Sequence, residues 1–345
     1  MQEKSFLIIR LSSIGDVILT TPLIRCLRKA YPQSRIDFLV KKQFVDVIAA
    51  NPHIDNIITF DTKADKELGR IKKLVKANHY THIIDLQKNI RSIFICCGSK
   101  ATYSSFSKRI FARYLLIRFH WNIYKETKPV YLRYFEALKK LGVGYDGEGT
   151  EVFPSVSDIE NVENKLNQQA VKQSLAILAI APGARWANKR WTTDGYASAI
   201  NDFCDKIPAI PVFIGGKEDI AIVEQIQHLL RHHSVSFAGE LTLMQSAAML
   251  GKANVVITND TGMLHMAQAM KAAVVAVFGP TTKELGFFPL PAKSRVAEMN
   301  LACRPCTQKG LDACPKGHFK CMKDINPQQV SKLAKELSTL HNLED

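Results

Sequence analysis

The chain has 345 residues, of which 46% are hydrophobic and 23% charged, and its formal net charge is +14. This composition excludes disordered and fibrous proteins, and the length predicts two domains, each with its own core. The N-terminus lacks a basic segment followed by a long apolar run, so no signal peptide is predicted. No apolar run approaches the ~20 residues that cross a bilayer, which predicts a cytoplasmic protein that is able to rest on a membrane surface.

Positive charge is concentrated in the first half of the chain. Residues 1–150 contain 26 Lys and Arg against 13 Asp and Glu, whereas residues 151–345 contain 20 against 19. The densest part, Lys88–Arg133, has ten basic residues and one acid, Glu126. Such a field indicates an anionic partner for this half: nucleic acid, a lipid headgroup or an acidic sugar. A surface that only increases solubility is the alternative.

Short apolar runs alternate with helix-length segments along the whole chain. In the first half, strands are predicted at Ser5–Leu11, Arg35–Val40, Asn56–Phe60 and His82–Leu86. In the second half they are predicted at Leu175–Ala181, Ile210–Gly215, Ser234–Ala238, Asn254–Thr258 and Ala273–Phe278. This alternation is typical of βαβ units and parallel sheets.

The pattern predicts an α/β protein with two Rossmann-like domains, residues 1–150 and 151–326, whose parallel sheets face a central cleft. Gly142–Asn164 is interpreted as the linker, and a last helix over 327–342 is able to pack back on the first domain. Ligands of parallel sheets bind beyond the carboxyl ends of the strands, so functional residues are expected in the loops that follow strands.

One glycine motif is misleading. Gly142-Val-Gly-Tyr-Asp-Gly147 matches the dinucleotide fingerprint, but it follows a helical stretch and no helix begins after it. The fingerprint needs a strand, a turn and a helix N-terminus that faces a pyrophosphate. Gly142 is therefore interpreted as a helix C-cap, which argues against a nicotinamide dehydrogenase. The chain also has no Walker phosphate loop and no Asp-x-Asp pair for a nucleotide-sugar metal.

The loop after the first strand reads Leu11-Ser-Ser-Ile-Gly-Asp16. Gly15 permits a tight turn, and Asp16 is expected at the start of the next helix. A carboxylate there is able to accept a proton from a sugar hydroxyl as a general base. From position alone, an acid stabilised by the helix dipole is the simpler interpretation.

The loop Thr258–His265 joins a strand to an Ala- and Met-rich helix. Its small residues leave backbone N–H groups at a helix N-terminus, which suits a diphosphate, and His265 lies one turn into the helix. Plain N-caps and a buried histidine are the alternative. The combination favours a ligand site.

Two further loops carry glycine beside charge. Ala181–Trp191 holds Gly183 and three cations, Arg185, Lys189 and Arg190, which suit phosphate. In Gly215-Gly-Lys-Glu-Asp219, Glu218 or Asp219 is able to bind ribose hydroxyls. Either loop alone is also consistent with an ordinary surface turn.

Taken in order, these motifs resemble glycosyltransferase family 9, the ADP-heptose:lipopolysaccharide heptosyltransferases, in particular heptosyltransferase II. They are L-S-S-I-G-D, P-G-A followed by N-K-R-W, G-G-x-E-D, and N-D-T-G-x-x-H followed by F-G-P-T. The resemblance spans nearly the whole chain. It implies a GT-B fold with an acceptor-binding N-terminal domain and a donor-binding C-terminal domain.

The resemblance also implies roles. Asp16 becomes the catalytic base of an inverting transfer from ADP-heptose to a lipid A–Kdo lipopolysaccharide precursor, with no cofactor required. The implied donor-binding residues are Gly183, Lys189, Glu218, Asp260, Thr261, Gly262 and His265. The acidic Kdo sugars suit the basic half, where Ser13, Lys108, Arg109 and Arg113 are the candidate acceptor contacts. Peripheral contact with the inner membrane follows from such an acceptor.

Four cysteines cluster near the C-terminus, at Cys303, Cys306, Cys314 and Cys321, with His318 among them. Their spacing in a cytoplasmic protein predicts a structural zinc or iron site, with reduced, metal-free thiols as the alternative. Some relatives in the family carry cysteine-bound iron.

Other functions stay open at this point. The same fold is compatible with another nucleotide-sugar donor or a protein acceptor. The cysteine cluster and the aromatic residues among the basic ones fit a nucleic-acid-binding protein, although that interpretation leaves Asp16 and the Asp260–His265 loop unexplained, and no nucleic acid is expected.

Overall fold

The computed structural model describes residues 4–172 and 174–341. Its internal contacts divide the chain into two compact units. Unit 1 runs to Lys108 and continues from Lys128 to Phe153, and unit 2 comprises Arg109–Thr127 and the chain from Pro154 onward. The chain passes between the units three times, and the last passage, between Phe153 and Pro154, lies near the predicted boundary at 150–151. Residues 109–127, expected in the N-terminal domain, group with unit 2.

Unit 1 is a doubly wound parallel sheet. Its first strand is buried along nearly its whole length, which is why it reads as a continuous apolar run. The elements, in chain order, are β1 (Ser5–Ile9), α1 (Ile14–Ile18), α2 (Thr21–Ala30), β2 (Arg35–Lys41), β3 (Asn56–Phe60), α3 (Glu67–Ala77), β4 (His82–Asp85), α4 (Ile90–Cys96), β5 (Thr102–Ser105), then α5 (Ile110–Phe119) of unit 2, and α6 (Val130–Tyr134).

The strands of unit 1 pair in parallel in the order β3-β2-β1-β4-β5. Strand order reverses between β1 and β4, which is where ligands bind in such sheets. Ile9 at the end of β1 is level with Asp85 at the end of β4. The loops that follow these two strands therefore leave the sheet side by side.

Unit 2 repeats this architecture with a larger sheet. Its remaining elements are α7 (Val156–Gln168), β6 (Ala176–Ala181), α8 (Thr193–Cys204), β7 (Ala209–Phe213), α9 (Ile220–Gln227), β8 (Val235–Ser236), α10 (Leu243–Gly251), β9 (Val255–Asn259), α11 (Gly262–Ala269), β10 (Val274–Phe278), β11 (Ser294–Glu298), α12 (Lys320–Lys323) and α13 (Pro327–His341). The strand order is β11-β10-β9-β6-β7-β8, all parallel. The reversal lies between β6 and β9, where Ala181 is level with Thr258.

The last helix, α13, belongs to the core of unit 2. It packs on α8 and on the strands β9, β10 and β11, and its Val330, Ala334 and Leu337 are buried there. Lys335 adds an ion pair of 2.7 Å to Asp202 on α8. The sequence pattern is interpreted as compatible with packing of this helix on the N-terminal domain. Its apolar face is instead buried in unit 2. Asn342, the predicted end of the helix, lies outside the described residues.

The predicted α/β class is confirmed, and so is the C-cap at Gly142, which ends a 3-10 helix with φ of 69°. The predicted linker is too long, because α7 already begins at Val156, where the Ser155 side chain accepts from the N–H of Asp158. Within 4–172 and 174–341, no helix has the length and apolar character needed to cross a bilayer.

Candidate active site

Asp16 lies at the carboxyl end of the unit 1 sheet, in the first turn of α1. Both the backbone N–H and the hydroxyl of Ser13 donate to its Oδ2 at 3.1 Å. Its Oδ1 lies 2.6 Å from the guanidinium of Arg10. The turn after β1 thus holds one carboxylate in a fixed position at the strand end, as the sequence predicted.

Arg10 is buried beneath Asp16 and is held by the loops around it. Its guanidinium donates to the carbonyl of Ser12 at 3.0 Å and to that of Leu86, after β4, at 2.5 Å. It also lies 5.7 Å from the ring centre of Tyr134. Sequence analysis missed this arginine, whose only signal is its position one residue after an apolar strand.

Arg10 and Ser13 control the charge of Asp16. Burial alone raises the pKa of this carboxyl, but the positive charge of Arg10 and the hydrogen bonds from Ser13 and Arg10 outweigh it, so the pKa lies below its ordinary value. Asp16 is therefore an ionised carboxylate at neutral pH, the form that is able to accept a proton.

The loop after β4 is organised by Asp85, which is fully buried. Its carboxylate accepts from the backbone of Gln87 at 2.9 Å and of Lys88 at 2.7 Å, and from the hydroxyls of Ser92 at 2.8 Å and Tyr103 at 2.9 Å. This network fixes the loop in which the Leu86 carbonyl accepts the hydrogen bond from Arg10. Sequence analysis did not single out Asp85.

In unit 2, Lys189 and Asp260 meet at the switch point between β6 and β9. The Lys189 ammonium lies 2.5 Å from Asp260 Oδ2 and 3.2 Å from the Asp260 carbonyl. The hydroxyl of Thr281, after β10, donates to the same Oδ2 at 2.6 Å. Two predicted donor residues are thus brought together from loops 71 positions apart.

The loop after β9 opens helix α11 as expected. Thr261 is the N-cap, with its side chain accepting from the N–H of Met263 at 3.3 Å, and Gly262 is the first helical residue. His265 is buried one turn in. Asn259 is the first residue of the N-D-T-G motif and was assigned no role of its own. It is fully buried and ties this loop to the one after β6 by donating to the Pro182 carbonyl at 2.7 Å.

Gly183 is packed against the carboxylate of Asp219. A Cβ at position 183 would overlap that carboxylate, and one at Gly215 would come within 2.7 Å of it. The N–H of Gly216 donates to Asp219 Oδ2 at 3.0 Å, and burial is the main cause of the raised pKa of Asp219. Of the two acids left open by the sequence, Asp219 lies against Gly183, whereas Glu218 is exposed.

The cysteine-rich loop 303–321 is attached to the loop that carries Lys189. The N–H of Asn188 donates to the Leu311 carbonyl at 3.1 Å, and the N–H of Leu311 donates to Asn188 Oδ1 at 2.8 Å. Gly310, with φ of 120°, lies so close to Trp186 that a Cβ there would overlap the indole. The loop therefore braces the segment that carries Lys189.

The structure does not support the predicted metal site in this loop. Among the described residues, no three His, Cys, Asp or Glu side chains are arranged to hold a metal ion. Cys303 faces His318 Nε2 at 3.8 Å, while Cys306 faces the Pro280 carbonyl at 4.0 Å. Burial and the neighbouring thiols raise the pKa of Cys321 to about 11.

The predicted acceptor residues do not all lie in one unit. Ser13 contacts Asp16 and Lys108 belongs to unit 1, whereas Arg109 and Arg113 belong to unit 2. Arg109 pairs with Glu126 at 3.5 Å. Burial lowers the pKa of Arg113.

Comparison with known proteins identifies relatives over nearly the whole chain. The model of glycosyltransferase family 9 (heptosyltransferase) matches residues 68–315. Lipooligosaccharide heptosyltransferase 2 of Campylobacter jejuni is 25% identical over 94% of this chain and 95% of its own. A family 9 glycosyltransferase structure from Veillonella parvula has a TM-score of 0.81 at 22% identity, covering 98% of each chain. The structure of ADP-heptose LPS heptosyltransferase II of Escherichia coli has a TM-score of 0.71 at 21% identity, covering 98% of this chain and 99% of that one.

Proposed function

The chain belongs to glycosyltransferase family 9, the heptosyltransferases, and from this membership we propose that it transfers heptose from ADP-heptose to the Kdo-containing inner core of a lipopolysaccharide precursor. The relatives from Campylobacter jejuni and Escherichia coli are a lipooligosaccharide heptosyltransferase and an ADP-heptose LPS heptosyltransferase by their names. The molecule is a glycosyltransferase with the GT-B fold; the sugar, the acceptor and the residue roles are the proposal.

Asp16 is the general base of this proposal. It takes the proton of an acceptor hydroxyl while the oxygen of that hydroxyl bonds to the anomeric carbon. The bond from that carbon to the diphosphate breaks on the opposite face, so ADP leaves and the configuration inverts. A carboxylate of lowered pKa is a weak base. It is strong enough for this step because the hydroxyl oxygen gains positive charge as the new bond forms, which makes its proton acidic.

Lys189 is the main cation for the leaving diphosphate. Together with the N-terminus of α11 at Thr261 and Gly262, it supplies positive charge where negative charge develops, so the step needs no cofactor. Asp260 has the same sign as the diphosphate, and we assign it the role of holding Lys189, assisted by Thr281. Gly183, Glu218 and His265 complete the proposed donor site, to which Asp219 is added.

The acceptor is assigned to the basic half of the chain. Ser13, Lys108, Arg109 and Arg113 are the proposed contacts for the acidic Kdo sugars and phosphates. Because such an acceptor is anchored in lipid, the enzyme is expected at the cytoplasmic face of the inner membrane.

The observation that carries this proposal is the Arg10–Ser13–Asp16 cluster. A carboxylate held ionised at a strand end, by one buried arginine and one serine, is what an inverting transferase needs of its base. A residue that only capped α1 would not require the buried guanidinium.

The test is ADP release by purified protein supplied with ADP-heptose and a deacylated Kdo-containing acceptor. We expect acceptor-dependent release that falls roughly 10²–10⁴-fold in Asp16→Asn, while donor affinity measured by calorimetry changes little. Lys189→Ala is expected to weaken donor binding instead. Asp65→Asn, an exposed acid on unit 1, serves as the matched control and should retain full activity.

Each failure has a separate meaning. Donor binding without release on this acceptor would point to a different acceptor, such as a protein. No donor binding by the native protein would overturn the heptose assignment and direct the search to other nucleotide sugars. Full activity in Asp16→Asn would overturn the assigned base.

A further inference from the structure

Helix α5 and the residues after it present large apolar side chains to the outside. Phe111 is 69% exposed and Trp121 63%. We call the α5 face the set of exposed apolar side chains between residues 110 and 123: Ile110, Phe111, Tyr114, Phe119, Trp121 and Ile123. A surface helix ordinarily turns polar residues outward, so this composition requires an explanation.

The face is an ordered surface. Ile110, Tyr114 and Arg118 are spaced by four residues and therefore lie along one side of the helix. The Tyr114 and Phe119 rings are 6.0 Å apart, and those of Phe119 and Trp121 are 5.4 Å apart. The chain leaves the helix through His120 in the left-handed region, and the N–H of Trp121 bonds back to the Leu115 carbonyl at 3.3 Å.

Basic side chains accompany the aromatic ones. Arg118 and Lys125 are exposed, and the guanidinium of Arg118 lies 5.9 Å from the centre of the Phe119 ring. The only acid in the whole segment Arg109–Thr127 is Glu126. Aromatic and aliphatic side chains beside Arg and Lys are typical of helices that lie in the headgroup region of a membrane.

We propose that the α5 face docks on an anionic lipid bilayer. The aromatic rings enter the boundary between headgroups and acyl chains, and Arg118 and Lys125 pair with lipid phosphates. A second copy of the chain would bring the same cations face to face, which disfavours a symmetric dimer through this face. The choice of a bilayer over another protein rests on the proposed function, because that acceptor is a lipid.

The test is co-sedimentation of the full chain with vesicles of phosphatidylcholine alone and of phosphatidylcholine with phosphatidylglycerol. We expect binding to the anionic vesicles, weakened by salt. The double variant Phe111→Ser/Trp121→Ser should bind them roughly tenfold or more weakly, because it removes two exposed rings that enter the bilayer on docking. Arg118→Gln should bind about fivefold more weakly. Val156→Ser changes an equally exposed residue on α7 and serves as the matched control, with unchanged binding.

Vesicle binding needs no sugar, so it separates this inference from the proposed function. If the double variant loses vesicle binding but keeps its activity on the deacylated acceptor, docking and transfer are both supported as separate properties. Absence of binding to anionic vesicles, or equal binding by the double variant, would overturn the docking proposal whatever the transferase assay shows. So would a dimer in sedimentation velocity that the double variant abolishes.

Discussion

Arg10–Asp16 and Lys189–Asp260 are two ion pairs of opposite arrangement. In the first, the carboxylate is the more exposed partner, at 20% against 10% for the arginine. In the second, the cation is the more exposed, at 12% against 6% for the aspartate. In each pair the deeper charge positions the outer one, and the proposed function assigns the outer ones, Asp16 and Lys189, to a hydroxyl and a diphosphate.

The Arg10–Asp16 pair predicts a pH dependence. The pKa of Asp16 is lowered, so its carboxyl is protonated only at a pH below its ordinary pKa of 3.8. The stability that the pair contributes is therefore fully present above pH 3.8 and is lost as the pH falls through the lowered pKa of the folded state. Arg10→Met removes the opposing charge, so burial raises the pKa of Asp16. We expect the acidic limb of kcat/KM to move to higher pH, with a lower kcat.

Arg35→Met is the control, because Arg35 lies at the start of β2 and pairs with Asp37 instead. An acidic limb that stays at the native position in Arg10→Met would contradict the assigned role of the pair.

The outer members of these pairs were predictable from sequence and the inner partners only in part. Asp16, Lys189 and Asp260 stand in glycine-containing loops that follow apolar runs. Arg10 acts through a contact with a residue six positions away, and no motif marks it. Asp219 lies in the G-G-x-E-D motif, but the motif does not reveal its contact with Gly183, 36 positions away. The metal prediction is not supported among the described residues, because cysteine spacing does not reveal whether the thiols are arranged around one point.

At the scale of elements, the buried strands were predictable, and of the edge strands β3 and β8 were predicted whereas β5 and β11 were not. The central strands β1, β6, β9 and β10 are covered on both faces and read as apolar runs. At the sheet edges, β5 is T-Y-S-S with no buried side chain, and β11 is S-R-V-A-E. Such strands form because a neighbour offers free backbone groups, a signal that lies outside their own sequence.

The loop after β6 predicts a contrast between two glycines. Gly183→Ala would push its methyl into the Asp219 carboxylate, so we expect a loss of about 1–3 kcal/mol in the free energy of unfolding and a raised KM for the donor. Gly144→Ala meets no atom within 4 Å and is the control, expected to change stability by less than about 0.5 kcal/mol. Urea unfolding and donor kinetics measure both; equal behaviour would refute the close packing.

The packing of α13 predicts that the C-terminal helix stabilises unit 2. Leu337→Ala leaves a cavity in that core, and we expect a loss of about 2–5 kcal/mol in the free energy of unfolding. Lys332→Ala, on the exposed side of the same helix, should change it by less than about 0.5 kcal/mol. Thermal unfolding followed by circular dichroism measures both variants. Equal stability of the two would indicate that the helix is peripheral to the core of unit 2.

At the scale of the whole molecule, the uneven charge predicts unequal salt dependence of the two substrates. Raising the ionic strength from 0.1 to 1 M shortens the Debye length from about 10 to about 3 Å. The KM of the acceptor, assigned to the basic half, should rise severalfold. The KM of ADP-heptose should rise less, because Lys189 is largely buried. Equal sensitivity of both constants in steady-state assays would contradict the assignment of the acceptor to residues 1–150.

The two hydrogen bonds between Asn188 and Leu311 join points 123 residues apart in the chain. A ligand that binds Lys189 is expected to stabilise the cysteine-rich loop as well. Asn188, the neighbour of Lys189, is hydrogen-bonded to Leu311, so neither segment unfolds locally without breaking these bonds. Occupancy of the nucleotide site is therefore expected to slow hydrogen exchange at the Leu311 amide and tryptic cleavage after Lys309. The distant cysteine-rich loop thereby becomes a reporter of whether the donor is bound.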